Sequence, residues 1–160
     1  MQTTTSLPSM NNLDTRRLLD LVRRKHDCLV EIRELGRQQQ GFIDSGDMTR
    51  LLGLLAVKQR SLGELHDLER ELDPYRREDP AERVWSGDAE RMRCASLADQ
   101  SAQLLAEVLE SEKRCEEALR QRRDETAKQL AVVQTAGMAR GAYASMSSQS
   151  TSTLDLTSET

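Results

Sequence analysis

Residues 88–137 read DAERMRCASLADQSAQLLAEVLESEKRCEEALRQRRDETAKQLAVVQTAG, with no proline and no glycine before Gly137. Apolar or small side chains recur at three- and four-residue steps: Ala98, Ala102, Leu105, Val108/Leu109, Cys115, Leu119, Leu130 and Val133. Glu112, Arg122 and Thr126 fall on the same seam. Such spacing puts one stripe along one face of an α-helix. A helix of about 50 residues measures roughly 75 Å at 1.5 Å per residue. That length sets the architecture, because the two helical segments before it are much shorter.

The first of these covers residues 14–44, opened by Asn12 or Asp14 as N-cap. Its seam runs Leu18, Leu21/Val22, Cys28/Leu29, Ile32, Leu35 and Phe42/Ile43, interrupted by Lys25 and Gln39. Ser45-Gly46-Asp47 stops and restarts the chain, with Gly46 suited to the left-handed stop and Asp47 to the next cap. The second helix spans residues 47–73 through Leu51, Leu55, Lys58, Leu62, Leu65 and Leu68/Leu72, and Asp73-Pro74 ends it. So short a link between amphipathic helices predicts an antiparallel pair. Residues 74–87 form an irregular connection. Within it Asp79-Pro80-Ala81-Glu82 reads as a capped single turn, and Trp85 is expected to plug the end of the bundle.

The predicted fold is therefore all-α: an elongated antiparallel three-helix coiled-coil hairpin, residues 14–144, with an over-long third helix over 88–140. A flexible leader (1–13) and a disordered Ser/Thr-rich tail (145–160) flank it. Only 37% of the chain is hydrophobic and 2% aromatic, which suits narrow Leu/Val/Ile seams better than a thick globular core.

Composition excludes several function classes. The net charge is −4, and residues 88–144 hold nine basic and ten acidic side chains, so no face is basic enough for nucleic acid. No apolar stretch is long enough to insert in a membrane. Cys28, Cys94 and Cys115 are odd in number and scattered, without CxxC or nearby histidine, which argues against a disulfide framework and a metal site. A cytoplasmic location fits that cysteine usage and the lack of a signal peptide at the start. His26 and His66 sit among surface-type residues. No phosphate loop, HExxH, GxSxG or EF-hand pattern occurs. No catalytic residue and no cofactor is expected, and the chain reads as a binding protein.

The third helix is expected to draw level with the 45–47 turn near residues 112–116 and to continue without a partner in the chain. An apolar stripe left in water there needs a cover. The expected partner-binding residues are Leu119, Leu130, Val133, Met138 and Tyr143. The cover is an amphipathic helix of another protein or a second copy making a homodimer.

The run LLxLLxxKQxSLxxLxxLExEL (51–72), the block LLAEVLESEKRCEEAL (104–119) and the AxGAY-type ending (139–143) resemble FlgN-like flagellar export chaperones. The resemblance covers about residues 15–145 and rests on leucine spacing and chain layout. It implies a cytoplasmic three-helix protein that keeps hook–filament junction subunits unassembled and delivers them to the type III export gate. By the same analogy the last part of helix three grips the client's terminal helix, and Tyr143 serves gate docking.

Overall fold

The computed structural model describes residues 14–154. It is all-α: α1 Thr15–Ser45, α2 Met48–Arg76, a single 3-10 turn Pro80–Glu82, and α3 Asp88–Leu154, with no strand among the described residues. The chain divides after Glu116 into two compact units. The expected leader, residues 1–13, lies outside the described residues.

The caps follow from the residues that supply them. Asp14 accepts the Arg16 amide at 2.9 Å and opens α1. Gly46, at φ 74°, closes it in the left-handed conformation, where a Cβ would be strained. The Gly46 and Asp47 amides donate to the Ile43 and Phe42 carbonyls at 3.2 and 3.0 Å, which satisfies the helix end. Asp47 then accepts the Arg50 amide at 3.1 Å and starts α2. Asp79 caps the 3-10 turn through the Ala81 amide at 2.9 Å, with Pro80 at its first position.

In the first unit α1 and α2 run antiparallel, as the pairing of Arg17 with Glu71 (2.7 Å) and of Lys25 with Glu69 (2.6 Å) records. The α3 segment within this unit runs parallel to α1. Arg33 meets Glu107 at 3.2 Å, a Cβ on Gly36 would lie 3.1 Å from Ser111 Oγ, and Cys115 Sγ lies 3.5 Å from Gln40 Oε1. Level with Gln40, Cys115 is still short of the Gly46 turn, slightly later than the expected register. The core between the helices is led by Leu21, Leu29, Ile32, Ile43 and Leu68, each at 2% exposure or less. Trp85, half-buried, packs against this core as expected.

One buried polar layer crosses all three helices. Lys58, 4% exposed, donates to Gln39 Oε1 at 2.7 Å and to the Glu112 carboxylate. Burial pushes the Lys58 ammonium below its ordinary pKa range, and the Cys115 thiol nearby offsets this in part. The layer accounts for three of the polar interruptions in the seams, since a charge left unpaired at this depth is strongly unfavourable.

The structure corrects the seams of α2 and α3. In α2 the buried positions are Leu51, Leu54, Lys58, Ser61, Leu68, Leu72 and Tyr75. Leu55 and Leu65 are half-buried, and Leu62 is 38% exposed. In α3 the buried face is Cys94, Ser101, Leu104, Val108 and Cys115, while Ala98, Ala102, Leu105 and Leu109 face outward. Where two apolar residues are adjacent, as at 104–105 and 108–109, spacing alone does not say which one is inside. Serines share the inner faces: Ser61 and Ser101 are buried, and Ser111 lies against Gly36.

Both later helices also outrun their expected ends. Pro74 lies within the last turn of α2, which continues to Arg76. Proline there forgoes one helical hydrogen bond, but tertiary contacts hold the turn. Tyr75 is 5% exposed and its hydroxyl donates to the Asp14 carbonyl at 3.4 Å, while Arg83 donates to the Tyr75 carbonyl. Helix α3 passes residue 140 and reaches Leu154, so residues 145–154 of the expected disordered tail are helical; residues 155–160 lie outside the described residues. The serines fit the helix because their hydroxyls bond back into it. Ser145, Ser147 and Ser148 donate to the carbonyls of Ala142, Ala144 and Ser145 at 2.8, 3.0 and 2.8 Å.

Cys28, Cys94 and Cys115 are free thiols and all are buried. Burial, then the charges of Glu64 and Glu31, push Cys28 up to about 11; burial raises Cys94 and Cys115 as well. The thiolate is the reactive form. Native protein at pH 8 should therefore react with a disulfide reagent such as dithionitrobenzoate at less than about a tenth of its rate in urea. Equal rates in the two conditions would mean that the helices open readily.

Candidate partner-binding surface

The surface expected to carry a partner lies on the second unit. From residue 117 to 149 no side chain is buried, and only Ala118, Leu119 and Arg122 are half-buried. The first part of this stretch is charged, with local pairs such as Arg120 to Glu117 and Arg123 to Asp124, both at 3.1 Å. Beyond Lys128 the chemistry changes. Residues 129–149 contain one charged side chain, Arg140.

The apolar side chains there are open to water. Leu130 is 58% exposed, Val133 67%, Met138 78% and Tyr143 75%. Val132 and Met146 are similarly exposed. Met146 was missed in the sequence because it falls in a segment read there as disordered.

The five expected residues do not form one stripe. At about 100° per residue, Leu119, Leu130 and Val133 fall within about 60° of one another around the helix axis. Met138 and Tyr143 point roughly 100° and 120° away from Leu119, to opposite sides. Leu119, Leu130 and Val133 therefore make one face, and Tyr143 belongs to another. Glycines 137 and 141 continue the first face past Val133, where they leave it smooth: a Cβ at either position would meet nothing within 4 Å.

The two histidines do not come together with other titratable groups into a catalytic cluster. His66 is exposed, and His26 Nδ1 lies 3.3 Å from Asp27. Among the described residues no group of three or more His, Cys, Asp or Glu side chains could hold a metal ion. No described helix is long and apolar enough to cross a membrane.

No protein-family model matches the chain, and comparison with curated proteins and with solved structures likewise finds no match.

Proposed function

We propose that this chain is a non-enzymatic helical binding protein, and that the 117–149 stretch of α3 receives an amphipathic helix of a client. One observation carries the reading. A helical stretch with a single charged side chain between residues 129 and 149 keeps Leu130, Val132, Val133, Met138, Tyr143 and Met146 in water. Exposed apolar surface of this extent marks an interaction site. A partner helix would set its own leucine-type anchors against Leu119, Leu130 and Val133 in the helix-in-groove manner.

The resemblance to FlgN-like chaperones supplies the client class. In that reading the protein works in the cytoplasm, covers the assembly helix of a hook–filament junction subunit and presents it to the type III export gate. The divergence of the two faces supports a division of labour. A client on the Leu130/Val133 face leaves Tyr143 uncovered for a gate component. A second copy of this chain is the competing occupant, favoured by Leu119, Leu130 and Val133 sharing one face of the helix, although Arg122 and Thr126 occupy the seam positions between Leu119 and Leu130.

The test is a calorimetric titration of the full chain with the junction subunit of its own organism, alongside sedimentation of the chain alone. Saturable one-to-one binding to a monomer supports the chaperone reading. A stable dimer that ignores the subunit sinks it and supports the scaffold.

A further inference from the structure

A second feature lies wholly within the first unit. A pocket of about 380 Å³ opens where the 74–87 connection packs beside α1, α2 and the start of α3. Val22, Leu72, Tyr75 and Trp85 supply apolar wall, and four cationic side chains, Lys25, Arg76, Arg83 and Arg91, share the lining. No acidic residue lines it, although the chain as a whole carries a net charge of −4.

The four cations are not equivalent. Lys25 pairs with Glu69 at 2.6 Å, and Arg76 pairs with Glu69 and, at 2.9 Å, with Asp73. Burial opposes ionisation of Glu69, but hydrogen bonds and charge from Lys25 and Arg76 outweigh it and hold the carboxyl below its usual range. Those two cations are therefore committed to the protein. Arg83 is ion-paired with Glu78 but keeps hydrogen-bonding capacity. One of its Nη groups donates to the Tyr75 carbonyl, yet Nε is buried without a hydrogen-bond partner, with Glu78 Oε2 too far for one at 3.7 Å. The Arg91 side chain is exposed and makes no hydrogen bond or ion pair among the described residues.

We infer that this pocket binds a small amphipathic organic acid, its carboxylate held by Arg83 and Arg91 and its apolar body laid against Trp85 and Leu72. Guanidinium groups recognise carboxylates through paired, charge-assisted hydrogen bonds. The volume falls in the range of small-ligand sites, which combine an apolar lining with a few placed polar groups. The inference is independent of what occupies α3 in the second unit.

Trp85 is the single tryptophan of the chain, so its fluorescence reports on the pocket wall alone. The full chain is titrated with octanoate, with octan-1-ol and octylammonium as neutral and cationic probes of equal length, and with Arg91→Gln. Octanoate should shift the emission saturably. The alcohol and the ammonium should bind at least about tenfold more weakly, and Arg91→Gln should weaken octanoate by about tenfold, the scale of one charge-assisted hydrogen bond. Arg91 is exposed, so an unchanged circular dichroism melt for the variant separates lost binding from lost folding. Equal midpoints for octanoate and octanol, an unaffected Arg91→Gln, or no saturable response would each overturn the assignment.

Discussion

Leu68→Asp should abolish the cooperative melt of the first unit, while Leu62→Asp should leave its midpoint within a few degrees. Both residues belong to the leucine run of α2, and both satisfy a helical seam in the sequence. The structure separates them. Leu68 is 1% exposed and sits in the core cluster with Leu18, Ile32 and Leu72, whereas Leu62 is 38% exposed. Truncating a buried leucine to alanine already costs about 2–5 kcal/mol. Replacing it with a carboxylate adds the desolvation of a charge that has no partner in an apolar cluster. The sum consumes most of the roughly 5–15 kcal/mol by which a domain is stable. Surface substitutions typically stay within about 0.5 kcal/mol, a few degrees for a domain of this size. Thermal and urea melts followed at the helical circular dichroism band decide it. Equal destabilisation by the two variants would mean that α2 is rotated about its axis from the orientation described.

That pair also marks where the sequence was readable and where it was not. Start and stop signals were legible because each is a local event carried by one or two residues: Asp14, Gly46, Asp47 and Asp79 all act as their side chains or backbone freedom dictate. Seam membership was largely legible in α1, where adjacent pairs such as Leu21/Val22 and Cys28/Leu29 are buried together and no choice between neighbours arises. It failed in α2 and α3, where neighbouring leucines compete for the inside and the choice is made by another helix. Ser111 against Gly36 shows why. The distance of closest approach between two helices depends on both, and neither sequence segment contains it. The end of α2 failed similarly, since Tyr75 holds a turn that Pro74 locally disfavours only through contacts with Asp14 and Arg83. For the candidate surface, the sequence pointed to a segment whose apolar side chains are exposed, because a run nearly free of charge stands out. It did not show that the chosen residues diverge around the axis, and reading residues 145–154 as disordered hid Met146.

The second large effect belongs to α3. Leu130→Asp, or Val133→Asp, places a carboxylate in the middle of the Leu119, Leu130 and Val133 face, where the proposed client helix would land. Hot-spot anchors of this kind typically cost about 2 kcal/mol or more when lost, a weakening of roughly thirtyfold. The melt of the first unit should not move, because Leu130 and Val133 are 58% and 67% exposed before any substitution. This contrast with Leu68→Asp is the sharp part of the expectation: one change removes folding, the other removes binding alone. Tyr143→Ala extends it. With its ring turned roughly 120° from Leu119, Tyr143 should contribute little to the junction-subunit titration, yet its loss should impair delivery in an export assay. A Tyr143→Ala variant that loses client binding as severely as Leu130→Asp would mean that the client wraps both faces and that no separate gate surface exists. A Leu130→Asp variant that binds the client normally but sediments as a monomer where the parent is a dimer would assign the face to self-association instead.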